Sequence, residues 1–239
     1  MPGPEGTSDD ALARSQALSD AGDHLGALAL ADQVVLVEPD RADAHIARGW
    51  ALENLGPDRL GEAREAYAEA VALDPSALWA MEGLVNVLRR LGHPAEADAL
   101  AADVVTRALA LTDRSPEVLE LQGWCEFQLG RLEDAEATFR RALELDADLV
   151  AIRLDLALVL LCAGRAQGSL TAYREGLSAA ARLGARAGVV AVALDDLDQA
   201  REQRPYLRAD PATEIAREQL RRFGDRASSL GDGLPMGGS

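Results

Sequence analysis

Three kinds of side chain in this 239-residue chain could do chemistry: three histidines, two cysteines, and three tryptophans set among carboxylates. His24, His45 and His93 are scattered, and none stands at metal-ligand spacing from a cysteine or carboxylate. They read as solvated surface residues. Cys125 and Cys162 lack the paired spacing of a zinc or redox motif, so they read as reduced thiols packed in helices. Asp195, Asp196 and Asp198 form the densest acidic cluster, yet no complementary ligand set accompanies them. They read as a wet helix face. No phosphate-cradling glycine loop and no nucleophile–base arrangement is present. The expectation is a chain without catalytic residues, metal or cofactor. Trp50, Trp79 and Trp124 remain, and tryptophan is a strong interface anchor because it buries a large rigid surface while its N–H stays directed.

The elements that must position these rings are helices. Hydrophobic residues make up 48% of the chain but aromatics only 4%, so alanine and leucine, the best helix formers, must do the packing. The fold class is all-α. Formal net charge is −16 and every basic residue is an arginine. Such a surface repels phosphates, which argues against nucleic acid and anionic membranes as partners. The acid is uneven: Met1 to Ser76 holds 15 Asp and Glu against 5 Arg. That bias either keeps an alanine-rich surface soluble or steers a basic partner. Missing lysine beside abundant alanine, arginine and glycine fits a GC-rich bacterial genome. Residues 1–10 lack the basic and apolar regions of a signal peptide, and no apolar run approaches the ~18 residues of a membrane span. A cytoplasmic setting is expected.

Glycines set the ruler. Gly22, Gly56, Gly92, Gly130 and Gly164 recur at spacings of 34, 36, 38 and 34, the period of a helix–turn–helix repeat. Four residues before each stands Leu18, Leu52, Leu88, Glu126 or Leu160, and seven before stands a slim residue, Ser15, Gly49, Val85, Gly123 or Ala157. Each glycine is placed to end a helix with positive φ. After the turn come Ala27, Ala63, Ala97, Ala135 and Ser169, and four residues later Ala31, Tyr67, Ala101, Phe139 and Tyr173. In the second and fourth repeats small and large residues thus alternate on one face. Pro57 and Asp58 are an insertion that lengthens one turn, and extra residues near Ala108 to Thr112 lengthen one helix.

The strings GWALENLG (Gly49 to Gly56), EAREAYAEAVALDP (Glu62 to Pro75) and GRLEDAEATFRRALELD (Gly130 to Asp146) resemble the tetratricopeptide repeat family. The resemblance covers about five repeats, from Ser8 to Leu183. It implies a right-handed α-solenoid of antiparallel helix pairs whose concave groove is lined by the first helix of each pair. We divide the chain into a flexible lead-in (1–10), the solenoid (11–183), two C-terminal helices that are a cap or a degenerate sixth repeat (184–224), and a disordered tail (225–239).

On that frame all three tryptophans fall in two columns of the implied groove. Six residues before the glycines stand Gln16, Trp50, Asn86, Trp124 and Leu158; thirteen before stand Asp9, Asp43, Trp79, Glu117 and Ala151. The columns lie two helical turns apart, so they face the same way. Glu53, Glu82, Arg89, Glu120 and Phe127 share the stripe. The expected site is therefore Trp50, Trp79, Trp124, Phe127, Asn86, Arg89, Glu53, Glu82, Glu120 and Leu158. It suits an apolar or basic protein segment, unless the rings pack against neighbouring helices or beneath the C-terminal ones. Arg89 or Arg90 is expected to pair with Glu53 or Glu126. The resulting reading is a protein-binding adaptor or scaffold; the alternatives are a chaperone for an apolar segment of a dedicated client and a non-catalytic subunit of an enzyme. Homo-oligomerisation through the terminal helices stays open.

Overall fold

The computed structural model describes residues 7–112, 114–184 and 187–231. It is an all-α repeat fold of twelve helices among these residues, in two units, Met1–Asp113 and Arg114–Ser239. Unit one holds three helix pairs: α1 (Ser8–Asp20) with α2 (His24–Val37), α3 (Ala42–Asn54) with α4 (Leu60–Leu73), and α5 (Leu78–Arg90) with α6 (Pro94–Ala110). Each helix packs on the next, and first helices also touch each other, α1 beside α3 and α3 beside α5. Unit two holds α7 (Pro116–Gln128) with α8 (Leu132–Leu145), α9 (Val150–Cys162) with α10 (Ala166–Leu183), then α11 (Ala187–Gln203) and α12 (Pro211–Gly231).

The repeat turns follow from one hydrogen bond. In four of them the residue after the glycine donates its N–H to the carbonyl four residues before the glycine: Asp23 to Leu18, His93 to Leu88, Arg131 to Glu126 and Arg165 to Leu160, each at 2.9 Å. This closure needs a left-handed residue between the helices, and Gly130 supplies it at φ +74°. The turn at Gly56 cannot close this way, because Pro57 has no N–H to donate. Gly56 opens instead to φ +117°, and a 3₁₀ turn, Pro57–Arg59, carries the two inserted residues.

Packing between paired helices depends on the slim column. Tyr67 and Phe139 are fully buried, and an added Cβ would lie 2.8 Å from the Tyr67 ring at Gly49 and 2.7 Å from the Phe139 ring at Gly123. Tyr67 is also pressed by Gly83 of α5, where a Cβ would meet its Cζ at 2.3 Å. The outer repeats carry a hydroxyl bond between paired helices whose direction is reversed between them. Ser15 donates to the Ala27 carbonyl at 2.8 Å, and Ser169 to the Ala157 carbonyl at 2.7 Å. A buried serine is tolerated because that bond satisfies it.

Three expectations differ from the structure. α1 opens at Ser8, inside the stretch read as a lead-in, because the Thr7 hydroxyl and the Asp10 carboxylate cap it reciprocally. α12 runs through Gly224 to Gly231, since one helical glycine costs only ~1 kcal/mol and helix-forming arginines surround it. Residues 1–6 and 232–239 of the lead-in and tail lie outside the described residues. His45 is buried rather than solvated, and its Nε2–H donates to the Pro39 carbonyl at 2.8 Å.

Candidate functional site

In unit one i, i+3, i+7 spacing aligns Asp43, Ile46 and Trp50 along α3, and Trp79, Glu82 and Asn86 along α5. Trp79 is 46% exposed near the start of α5. Trp50 is partly buried, and its carbonyl accepts the Asn54 side-chain N–H at 2.9 Å. Asn86 is partly exposed and donates to Glu82 Oε1 at 2.6 Å. At the edge where α1 and α3 begin, the Arg41 guanidinium gathers Asp9, Glu38 and Asp43. Its bond holds the Asp43 carboxyl below the usual carboxylate range, so that charge stays on.

Glu53 is turned inward. It is buried, accepts the Tyr67 hydroxyl at 3.1 Å and meets Arg90 Nη1 at 3.5 Å. Burial and the nearby carboxylates Glu53 and Glu82 push the Tyr67 phenol well up, so it remains a donor. Arg89 pairs with Asp98 of α6 at 2.6 Å, so Arg90 takes the expected contact with Glu53. Glu82 is likewise buried.

In unit two the same columns lead elsewhere. The Trp124 ring stands 5.2 Å from that of Phe127, tilted by 39°. Phe127 is only 3% exposed, with the Arg204 guanidinium 4.8 Å above its ring. Leu154, Leu158 and Leu161 of α9 are buried in the core that also contains Leu197 of α11 and Leu207. α11 packs against α9, while α12 packs against α10 and α11. A short 3₁₀ turn, Pro205–Arg208, joins α11 to α12, and its Tyr206 hydroxyl donates to the Cys162 carbonyl at 2.8 Å. That carbonyl closes α9 and would otherwise lack an intrahelical partner. Unit two thus covers its own first-helix face with its C-terminal segment.

Glu120 lies one turn before Trp124 and is half-buried. Burial, with Glu117 nearby, pushes its carboxyl up to about 7. Gln122 and Thr138 instead tie Glu126 into a buried network, donating to its carboxylate at 2.6 and 2.7 Å. Asp198, from the acidic cluster of α11, is bound by Arg201 and by Arg217 of α12. Among the described residues no group of three or more His, Cys, Asp or Glu could hold a metal ion, and both cysteines are buried free thiols.

Arg204, Tyr206 and Leu207 are contact residues that sequence reasoning misses; Arg204-Pro205 reads there only as a helix stop. A signal exists in α9, whose groove-facing stripe holds Leu154, Leu158 and Leu161 beside Ala151 and no polar residue. Three leucines in register require a cover.

A sequence model of the tetratricopeptide repeat matches residues 12–78 and 82–150, more than half of the chain. Among solved structures, TTC0263, a thermophilic TPR protein of Thermus thermophilus, is 24% identical. That likeness covers 79% of this chain and 99% of that one, with a TM-score of 0.61. PilW, a type IV pilus biogenesis factor, is 18% identical over 88% of this chain and 98% of its own, with a TM-score of 0.53. Pseudomonas aeruginosa pilF is 17% identical over 95% and 93%, with a TM-score of 0.51. These likenesses are of fold. A search of the curated proteins found no match.

Proposed function

Since this chain belongs to the tetratricopeptide repeat family, we propose that it is a protein-binding adaptor whose partner docks on the first-helix face of unit one. The observation that carries this reading is an exposed indole set among charged and amide groups: Trp79 stands 46% exposed, with the partly buried Trp50 on the adjoining first helix. Both rings stand on regular helices, so a partner meets preorganised anchors and little ordering entropy opposes binding. Asp43, two turns before Trp50 on α3, is held ionised by Arg41, whose three carboxylate partners leave that edge net acidic, which suits a segment that is basic as well as apolar. A chaperone for an apolar client would use the same surface, but the carboxylates favour a segment with positive charge. Phe127 and Leu158 take no part in this docking, because unit two's own segment covers them. The reading assigns the chain no catalytic step, and its two buried free thiols fit a cytoplasmic setting.

The test is a pull-down from the native host with the intact chain and with Trp50→Ala plus Trp79→Ala, helicity being checked by circular dichroism. Selective loss of a partner from a folded double variant is the expected result. An unchanged partner set would remove the face from consideration and turn attention to the acidic N-terminal face.

A further inference from the structure

The second helix of the first pair is apolar all round, and no described residue covers its outer side. Ala27, Leu28, Ala31 and Val34 of α2 are buried, yet on the opposite side Leu25 is 66% and Leu36 84% exposed. Asp32 is the one acid or arginine in the helix, and burial lowers the pKa of His24, which disfavours its imidazolium. The repeat frame does not ask for these leucines. At the same two positions the later pairs carry Gly61 and Ala72, Ala95 and Thr106, Glu133 and Glu144, and Gln167 and Ser178, all small or polar and all exposed. A helix without a polar face belongs in an interior. The outer side of α2 is therefore a contact surface.

Leu25, Ala29, Asp32 and Leu36 stand at i, i+4, i+7 and i+11, on one line about 16 Å long. Read in reverse the line keeps its form, with a leucine at either end and a short side chain at each inner place. Asp32 brings no free charge, because Arg48 of α3 binds it at 2.7 Å. We propose that this stripe is the contact between two copies of the chain, packed antiparallel about a twofold axis. Leu25 of each copy then lies on Leu36 of the other, and Ala29 faces Asp32. A twofold contact requires a patch that complements itself, and this one does. Charge favours the same occupant. Unit one has 20 Asp and Glu against 8 Arg, and a basic partner would be drawn to its carboxylates, not to a stripe whose single acid is already paired. Area sets the strength. One face of a 14-residue helix, about 21 Å by 10 Å, is well short of the ~800 Å² per partner of a stable complex, so the pair is weak and reversible. The contact is separate from the proposed docking face, which is built from first helices.

The test is sedimentation velocity of the full chain over a concentration series, with a dissociation constant expected on the order of 100 μM. Leu25→Glu and Leu36→Glu change exposed positions, so each should weaken pairing by about tenfold or more with helicity unchanged. Trp50→Ala plus Trp79→Ala should leave pairing as it is. Raising salt from about 0.15 M to about 0.5 M should tighten it several-fold, because salt screens the repulsion between two acidic units and spares the leucine contact. Register is read with thiols. A mixture of Leu25→Cys and Leu36→Cys chains, oxidised with copper–phenanthroline, should crosslink several-fold faster than either variant alone, the native Cys125 and Cys162 being buried. A chain that stays monomeric at about 1 mM, or pairing indifferent to both glutamates, would overturn the proposal. Pairing that salt weakens, or a single cysteine variant that crosslinks faster than the mixture, would do the same. So would a monomeric chain that loses a native partner on Leu36→Glu, since the stripe would then belong to another protein.

Discussion

The two units build their first-helix faces from the same repeat frame and reach opposite ends. In unit one the face carries Trp50, Trp79 and Asn86 and stays partly exposed; in unit two the corresponding columns hold Glu117, Trp124, Ala151 and Leu158, and the stripe they share with Phe127 and Leu154 is covered by Arg204 and Leu207. The helix–turn frame does not decide between an open face and a closed one. Two or three side chains per helix do, because a helix presenting leucines at every turn must bury them while one presenting indoles and carboxylates can stay wet. The same divergence recurs in the cores. The Tyr67 hydroxyl of unit one reaches Glu53, whereas the Tyr173 hydroxyl of unit two is fully buried without a hydrogen-bond partner among the described residues.

The comparison can be broken most forcefully at Leu207. Leu207→Ala should cost about 2–5 kcal/mol and loosen the cover of unit two, seen as a lower thermal midpoint and faster hydrogen exchange in α9. Stability unchanged by this substitution would mean that the C-terminal segment does not close the face. Next in size is a glycine pair. Gly83→Ala drives a methyl into the Tyr67 ring and should cost about 1–3 kcal/mol. Gly168→Ala in α10 meets only Leu160 at 3.7 Å and should stabilise by roughly 0.5–1 kcal/mol through helix propensity. Denaturant midpoints moving in the same direction for both would contradict the difference in packing.

A tyrosine pair sharpens the point. Tyr67→Phe removes a buried bond to a carboxylate and should cost about 1.5 kcal/mol, while Tyr173→Phe removes a hydroxyl that has no partner and should be neutral or slightly stabilising. Smallest is a pH effect at Glu120. Its carboxyl is raised from 4.5 to about 7 in the folded chain, so its protonated form favours folding. That contribution is complete below about 4.5 and fades as pH climbs through 7. Glu120→Gln should therefore match the parent near pH 4 and exceed it by about 1 kcal/mol at pH 8. A parallel pair of stability–pH curves would show that Glu120 ionises freely.

Much of the frame is legible because it is periodic. The five glycines, the slim column and the Tyr67 and Phe139 column repeat at fixed offsets, and each offset corresponds to one contact or one hydrogen bond. Departures from period are legible where a single residue forces them, as Pro57 does by lacking an N–H. Pairing across helices is not. Glu53 stands in an outward column by sequence spacing, yet Tyr67, fourteen residues on, and Arg90, thirty-seven residues on, draw it inward. The Arg204–Leu207 segment is too short for any periodicity, and its meaning lies in side chains more than forty residues earlier. His45 escapes for a related reason, since its partner is the backbone carbonyl of a turn rather than another side chain.

Arg204 lies some 77 positions after the aromatic ring it covers. On the ribosome, where chains grow at roughly 5–20 residues per second, Phe127 emerges on the order of ten seconds before its lid. During that interval the nascent protein carries both faces uncovered, and only the emergence of the segment around Arg204 and Leu207 makes them different.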